Sequence, residues 1–362
     1  MSLALLLGTE LQVDLAAGHT VFGISSPGPF VPEVEALGVQ HVPLPAFTRA
    51  WDPRRDLAAA RQLVLALRTL HLDVLHTHTP KAGVLGRVLG RVCGVPVIVN
   101  TVHGLWAAPD DPLPKRAIVV AAEAFAAQFS DAELYQNAED RRRLCWAVPP
   151  RRSLTVGNGV DLERFQPDPD ARRAIRAEMG VPDGGLVVGG VGRRVAEKGI
   201  NEFAAMARSL AERAVFVWVG PPDEAKPDHL DEELPGVCFL GLRRDVEAIY
   251  AALDVFVLPS YREGLSRSAM EAAASGCALV LSDIRGCREI GEDGRHLLLV
   301  PPGDAASLAR AVARLLDDHS LRERLGRNAR RRARRRFDQH RVARTSLAVY
   351  REVMLRKAAS RR

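Results

Sequence analysis

The feature that most restricts the fold of this chain is a regular alternation of short β-rich runs and helical stretches. This alternation is the pattern of βαβ units on parallel sheets, so it predicts an α/β protein. The predicted strands are residues 20–25, 40–44, 73–77, 95–101 and 132–136, followed by 186–191, 215–219, 237–240, 255–258 and 278–282. The predicted helices between them include 56–70, 82–93, 200–213, 245–252, 268–275 and 305–317.

A linker interrupts the alternation after Arg152, where the chain is rich in Gly, Asn, Asp and Pro. A chain of 362 residues also exceeds the size at which one core keeps growing. We therefore predict two facing Rossmann-like domains over residues 1–160 and 161–335, and a basic C-terminal helix over 336–362 that packs back towards the first domain. Ligands bind at the carboxyl ends of parallel strands, so the site is expected in the cleft between the domains.

The beginning of the chain departs from this pattern. A doubly wound domain opens with a strand, yet residues 2–15 have the pattern of the helix that should follow it. Either the natural start lies upstream of Met1 or the first domain lacks its first strand. That strand is central in this topology, so its loss would leave backbone groups unpaired in the core.

Composition limits the cellular setting. The sequence has no uncharged apolar run of 18 residues and no signal peptide, so we expect a cytoplasmic protein without a transmembrane helix. The five cysteines are scattered, which argues against a disulfide framework and against a zinc site.

Positive charge is concentrated at the end of the chain. From Arg322 onwards there are sixteen Lys and Arg residues against three acids. Such a segment can meet anionic lipid headgroups at the inner face of the plasma membrane, or it can be a solvated helical face. Nucleic acid is disfavoured as a partner because no aromatic residues alternate with the arginines to stack on bases.

Two segments of the second half suit a bound diphosphate. Residues 263–276 (EGLSRSAMEAAASG) follow an apolar strand, and the amides of Gly264 and Leu265 with a helix start behind them suit an anion. A capping box of Ser268 and Glu271, with Glu263 as a surface acid, would explain this segment equally well.

Residues 191–199 (VGRRVAEKG) form the second such segment. They place Arg193 and Lys198 in one loop after a β-run, and two cations suit a diphosphate, although a cation pair in a loop is more often surface. The spacing of the glycines does not fit a dinucleotide fingerprint, which disfavours hydride transfer.

These motifs together resemble the family 4 retaining glycosyltransferases, which have the GT-B fold. The resemblance runs over nearly the whole chain. Within the family, the chain is similar to a bacterial branch that acts in polysaccharide and lipid-linked glycan assembly. It is carried by the two segments above together with 76–87 (HTHTPKAGVLGR), 100–104 (NTVHG), 157–165 (GNGVDLERF), Asp245, Tyr250, 285–290 (RGCREI) and 300–304 (VPPGD).

The resemblance implies a role for each matching residue. Residues 1–160 would form the acceptor side and 161–335 the nucleotide-sugar side. Arg193, Lys198 and the Gly264 and Leu265 amides would hold the donor diphosphate. The remaining predicted contacts are His103 with the donor sugar from the first domain, Glu263 with the same sugar, Glu271 with the ribose hydroxyls, and Glu289 with the nucleotide side.

The implied reaction is front-face transfer with retention, in which fixed cations stabilise the leaving diphosphate. We predict that Glu263 and Glu271 are not the acid and nucleophile pair of a glycosidase. The donor is expected to be a UDP-hexose or UDP-N-acetylhexosamine, and the acceptor a polyprenyl-linked or soluble glycan. A sugar-nucleotide epimerase of the same architecture and a truncated non-catalytic paralogue remain alternatives.

No metal or other cofactor is expected. We expect His76 and His78 to point to opposite faces of a strand, and Asp168 and Asp170 to lie in the linker. Lys81 is either an exposed loop lysine or an anchor for an acceptor phosphate. Family members commonly have proline at the position of Ser266, and serine there is expected to loosen the phosphate loop.

Overall fold

The computed structural model of the protein describes residues 2–48, 52–107, 111–224, 226, 228–230 and 234–360. The strands, in chain order, are β1 (Phe22–Ser25), β2 (Gln40–Pro43), β3 (Val74–His78), β4 (Val97–Val102), β5 (Ala132–Tyr135), β6 (Ser153–Thr155), β7 (Val187–Val191), β8 (Val215–Val219), β9 (Cys238–Phe239), β10 (Val255–Leu258), β11 (Ala278–Ser282) and β12 (Leu298–Val300).

The helices have apolar residues at helical spacing, and several begin at a capping aspartate, asparagine or serine. They are α1 (Ser2–Leu5), α2 (Gly8–Ala16), α3 (Val31–Ala36), α4 (Pro53–Leu70), α5 (Pro80–Val92), α6 (Leu113–Ala126), α7 (Ala138–Arg143), α8 (Pro169–Glu178), α9 (Ile200–Ser209), α10 (Val246–Ala252), α11 (Arg267–Ala274), α12 (Arg285–Arg288), α13 (Ala305–Asp317), α14 (His319–Arg336) and α15 (Gln339–Ala359). None of these helices has an apolar stretch long enough to span a bilayer.

The chain forms two compact units, one made of Met1–Gly157 with Gln339–Arg362 and the other of Asn158–Asp338. The second unit has one six-stranded parallel sheet in the order β12-β11-β10-β7-β8-β9. Apolar residues that alternate along these strands fill a separate core on each face of the sheet. This strand order is that of a Rossmann fold, and its direction reverses between β7 and β10.

The first unit has its parallel strands in two separate sheets, β1-β2 and β3-β4-β5-β6. The α4 and α5 side of the larger sheet is filled by a core that includes Ile98, and the α2 and α15 side by one that includes Val97 and Val99. Within the described residues, no strand joins β1 to β3. The chain opens with α1 and α2 in place of a strand, so the predicted α/β architecture of two Rossmann-like domains is confirmed with a gap in the first sheet.

Candidate active site

The loops that follow β7 and β10 carry the predicted phosphate-binding residues of the second unit. These two strands are hydrogen-bonded neighbours at the point where the strand order reverses. In open parallel sheets this switch point is where the loops diverge and leave a crevice for a ligand. The sheet therefore brings the segments 191–199 and 263–276 to one edge.

Backbone contacts hold the two loops together. The Tyr261 amide donates to the Glu197 carbonyl over 3.0 Å. Gly199 has a left-handed φ of 73° and lies so close to Pro259 that an added Cβ would clash with the Pro259 carbonyl. Glycine is therefore required at position 199 for the cation-bearing loop to reach the loop after β10.

The close packing of the two loops brings two predicted site residues into direct contact. Lys198 Nζ lies 2.6 Å from Glu263 Oε1, and Ser260 Oγ donates to the same oxygen over 2.9 Å. Both side chains of the ion pair are largely buried. The structure thus brings Lys198 and Glu263 together, and the ammonium partly neutralises the carboxylate at the sheet edge.

Arg193 lies beside this pair along the chain but has a different partner. Its guanidinium forms an ion pair with Asp223, a residue that the sequence motifs did not single out. The neighbouring Arg194 guanidinium lies 4.1 Å from the centre of the Phe239 ring. The two adjacent arginines therefore have different surroundings, and a diphosphate that bound Arg193 would have to compete with Asp223.

The start of α11 differs from the predicted capping box. Ser266, and not Ser268, is the N-cap, because its hydroxyl accepts from the Ala269 amide over 3.3 Å. The capping-box alternative for Ser268 and Glu271 was therefore wrong. Ser266 is buried and holds the first turn of α11, directly after Gly264 and the buried Leu265. A serine in place of the family's proline thus supplies a cap at this position.

Glu271 lies within α11 and is also satisfied by protein partners. Its carboxylate accepts from Tyr250 Oη and from Arg267 Nε, each over 3.0 Å. Burial raises the pKa of Glu271 above its usual range, while Arg267 opposes the shift. Glu271 pairs with Arg267 and Glu263 pairs with Lys198, so each carboxylate already has its own cationic partner.

Glu289 follows α12, the short helix after β11. Its backbone carbonyl accepts from Arg332 of α14 over 3.2 Å. Gly286 of the same helix packs against the Glu263 backbone so closely that an added Cβ would clash with it. Packing of α12 therefore supports the loop that carries Glu263, and Glu289 directly follows this helix.

His103 belongs to the first unit and follows β4. Its Nδ1 lies 2.8 Å from Gln136 Nε2, and its Nε2 lies 2.9 Å from Nδ1 of His78. An amide nitrogen only donates, so His103 Nδ1 accepts and Nε2 carries the proton that it gives to His78. Both ring nitrogens are therefore engaged, and a sugar hydroxyl would have to replace one of these partners.

Burial lowers the pKa of His103 to about 4 from the ordinary 6.5, so the folded protein keeps the ring neutral near pH 7. The unfolded chain takes up this proton first as the pH falls from about 6.5 to 4, so the free energy of unfolding should fall in that window by up to ~1.4 kcal/mol per pH unit. We expect His103→Gln to make urea midpoints between pH 7 and pH 4.5 less pH-dependent than those of the wild type. An unchanged pH slope, or the same change in His19→Gln at an exposed position, would contradict this origin.

His76 and His78 point to the same face of β3, with their ring centres 4.1 Å apart. The prediction of opposite faces was wrong, because residues two apart in a strand share a face. Glu10 of α2 joins them, with its Oε1 3.3 Å from His76 Nδ1. Burial would raise the pKa of Glu10, but the two histidines lower it to about 2.

The three side chains are close enough to share a metal ion, since their ligand atoms lie within 4.8 Å of one another. Hydroxyl groups nevertheless already fill the positions around His76. Its Nδ1 lies 2.6 Å from Tyr350 Oη and its Nε2 lies 2.8 Å from Thr101 Oγ1. Both ring nitrogens of His76 therefore already have protein partners.

Two further candidate residues have structural partners. Lys81 is buried in the first turn of α5, where it pairs with Asp56 and donates to the Thr48 carbonyl over 3.0 Å. It is therefore not an exposed loop lysine. Asp168 is the N-cap of α8 and accepts from the amides of Asp170 and Ala171, so Asp170 lies in the first turn of this helix and the prediction that it lies in the linker was wrong.

Two family models match the chain. The one described as Glycosyltransferase Family 4 covers residues 11–164, and the one described as Glycosyl transferases group 1 covers residues 185–318. The chain is 30% identical over 291 residues to the UDP-Gal:alpha-D-GlcNAc-diphosphoundecaprenol alpha-1,3-galactosyltransferase of Escherichia coli, with 77% of this chain and 75% of that protein covered. It is 32% identical over 360 residues to the D-inositol 3-phosphate glycosyltransferase of Salinispora arenicola, with 90% and 79% covered.

Among solved structures, the crystal structure of Anabaena HepE in complex with UDP is similar, with a TM-score of 0.79, 21% identity and coverage of 95% of this chain and 96% of that chain. At 21% identity the similarity shows the fold alone. It confirms the predicted GT-B fold.

Proposed function

Because the chain belongs to glycosyltransferase family 4, we propose that it transfers a hexose or N-acetylhexosamine from a UDP-sugar to a carbohydrate acceptor with retention of configuration. The observation that carries the proposal is the meeting of Lys198 and Glu263 at the switch point of the second sheet. A cation, a carboxylate and a helix start lie there on adjoining loops. This combination suits the phosphates and the sugar of a nucleotide-sugar donor.

The chemistry of the step explains the residue types. Glycosyl transfer passes through an oxocarbenium-like state while negative charge grows on the leaving diphosphate, so fixed cations lower the barrier most. In the proposal, Lys198 and Arg193 exchange Glu263 and Asp223 for phosphate oxygens when the donor binds. Glu263 is then released to accept from a sugar hydroxyl, and the leaving phosphate takes the proton of the acceptor hydroxyl.

The nucleoside end of the donor is assigned to Glu271 and Glu289. Glu271 already accepts two hydrogen bonds at the sheet edge, and ribose hydroxyls would take the place of Arg267 or Tyr250. His103 is assigned to the donor sugar from the first unit. Its neutral ring can donate from Nε2 to a sugar hydroxyl when that hydroxyl replaces His78 Nδ1 as the acceptor.

The acceptor is proposed to be a glycan linked to a polyprenyl diphosphate, as the name of the Escherichia coli relative states for that enzyme. The name of the Salinispora relative gives D-inositol 3-phosphate, so a soluble carbohydrate acceptor is the competing assignment. For a lipid-linked acceptor the protein would work from the cytoplasm, at the inner face of the plasma membrane. The arginine run of residues 330–336 belongs to α14, and α15 continues the basic segment, which remains a candidate for contact with anionic lipid.

The proposal is tested by incubating the protein with a panel of nucleotide sugars and with lipid-linked and soluble acceptors, and by reading the products by mass spectrometry. A glycosylated acceptor together with free UDP is the expected result. A new sugar nucleotide formed without any acceptor would identify an epimerase. UDP binding without turnover on any acceptor would identify a non-catalytic paralogue.

We also propose that transfer needs no metal ion, because protein cations occupy the place where a metal would neutralise phosphate charge. Dialysis against EDTA should leave kcat within about twofold of the untreated enzyme, and Mg²⁺ or Mn²⁺ should not raise it. A loss of at least tenfold that a divalent ion restores would contradict the proposal.

A further inference from the structure

Helix α6 of the first unit carries its apolar residues outwards. Pro114, Ile118, Ala121 and Phe125 follow one another at spacings of four, three and four residues and are all exposed, with Ile118 69% and Phe125 59% accessible. Spacing of this kind places four side chains on one face of a helix. In a helix that only packs on a core, this apolar face would be turned inwards.

The inward side of the same helix carries a charged residue, which is the reverse of the usual arrangement of an amphipathic helix. Glu123 is the acidic residue of α6, and it is buried against Arg87. Val120 and Ala124 pack on the core beneath the helix. The outer face therefore carries no acidic side chain, while the charge that would make it water-soluble points into the protein.

Tryptophans extend the face at both ends. The Trp106 ring lies 5.5 Å from Lys115 Nζ in the first turn of α6, and Trp146 adjoins Ala147, whose carbonyl accepts from Gln128 just beyond the helix. Both rings are exposed, as is Leu113. Five of the fourteen large apolar side chains that are exposed among the described residues thus lie between positions 106 and 146. Their summed exposed area is on the order of 500 Å², which is in the range of the largest apolar patches on soluble proteins, and such patches are often functional.

The charges beside the face favour an anionic partner. Arg142 and Arg151 flank Trp146 in the chain and are exposed, and Glu139 of the same segment already pairs with Arg143. Tryptophan and arginine around an apolar strip are typical of a surface that lies in the headgroup region of a bilayer.

We propose that this α6 face, defined by Trp106, Leu113, Ile118, Phe125 and Trp146, docks the protein on the surface of an anionic lipid bilayer. The inference rests on the proposed transfer to a lipid-linked acceptor. The N-terminal end of α6 follows β4 and His103, so the docked face begins at the sheet edge that carries the predicted acceptor side. A lipid-linked diphosphate would reach that edge without leaving the headgroup layer.

The basic helix α15 is the competing surface. It packs on the face of the β3–β6 sheet that includes Val97 and Val99, whereas α6 packs beside α5 on the other face. The two helices are therefore on opposite sides of one sheet, and variants can separate them.

The test is flotation of the full chain with vesicles of equal parts phosphatidylethanolamine and phosphatidylglycerol. We expect the wild type to float, and Ile118→Glu/Phe125→Glu to bind at least about tenfold more weakly. The matched control is Leu57→Glu/Leu65→Glu on α4, whose side chains are 56% and 69% exposed, and it should float like the wild type. Calorimetric UDP binding should be the same in all three proteins.

Several results would overturn the proposal. These are a wild type that does not float, equal loss in the α4 control, and loss in Arg344→Glu/Arg351→Glu of α15 while the α6 variant still floats. Conversion of a dimer to a monomer by the α6 substitutions would instead make the face an interface between two copies. A wild type that floats but binds no UDP would contradict the proposed function and leave the surface standing.

A second measurement covers the case in which the α6 variant does not fold. Brominated lipid should quench tryptophan fluorescence in the wild type, and Trp106→Phe/Trp146→Phe should lose most of that quenching. Quenching that persists in the double variant would place the contact elsewhere and overturn the proposal.

Discussion

Replacing Lys198 with alanine should lower kcat/KM for sugar transfer by about 100- to 1,000-fold and weaken UDP binding measurably by calorimetry. The ammonium lies 2.6 Å from Glu263 and is largely buried, so water cannot replace it at the growing phosphate charge. Its removal also leaves Glu263 without its cationic partner at the sheet edge. Both effects disfavour an anionic ligand.

Lys226→Ala is the matched control, because Lys226 is also partly buried and pairs with a glutamate, Glu197, at 3.0 Å. It should keep activity within a few fold of the wild type. Arg193→Ala should weaken UDP binding in the same direction as Lys198→Ala. Unchanged calorimetric affinity in both the Arg193 and the Lys198 variants would refute the assignment of the phosphate site.

Replacing Arg87 with methionine should destabilise the protein by about 3–5 kcal/mol and lower its melting temperature by roughly 10 °C. Arg87 is buried and forms ion pairs with both Glu123 and Glu133. Methionine fills much of the space but leaves two buried carboxylates without a cation. Urea denaturation followed by circular dichroism measures the loss.

Arg91→Met on the same helix is the control, because Arg91 is more exposed and its pair with Asp131 should contribute no more than about 1 kcal/mol. UDP binding at low temperature should survive in Arg87→Met, since its partners lie in the first unit. Equal stability losses at positions 87 and 91 would show that burial of the Arg87 network is not the cause.

Alternation of strands and helices was sufficient to predict the fold class. The runs at Val255–Leu258 and Ala278–Ser282 were predicted with the bounds that the structure has, because these strands are buried on both faces and read as continuous apolar runs. Strands β6 and β12 were not predicted, since each has three residues and follows glycine-, proline- or arginine-rich sequence. Such short strands are fixed by pairing with β5 and β11, which is not local information.

The site could be predicted from the order of motifs but not from local chemistry. Motif order gave the positions of Lys198 and Glu263, and packing of Gly199 on Pro259 brings them into contact. The partners Asp223 and Gln136 come from loops with no distinctive spacing, so no sequence signal identified them. The roles towards a ligand stay predictions for every predicted site residue, namely Arg193, Lys198, Glu263, Glu271, Glu289, His103 and the amides of Gly264 and Leu265.

The error at His76 and His78 was one of geometry. The pattern His-x-His on a strand places both rings on one face, where Glu10 meets them. That contact joins α2 to β3 across 66 residues of sequence. Spacing alone could have predicted the shared face, while the glutamate could be found only from the structure.

The gap between β1 and β3 has a consequence for how the first unit loses its structure. Among the residues that the structure describes, the small sheet has no backbone ladder to the larger one and is anchored by side chains, with Ile24 and Leu44 packed on Leu63 and Leu67 of α4. A sheet held only by side chains unfolds locally at a lower free energy than a sheet held by a continuous backbone ladder. The two sheets are therefore expected to unfold as separate cooperative elements. Amide exchange would then proceed in two steps, and a single transition temperature would describe an average of both.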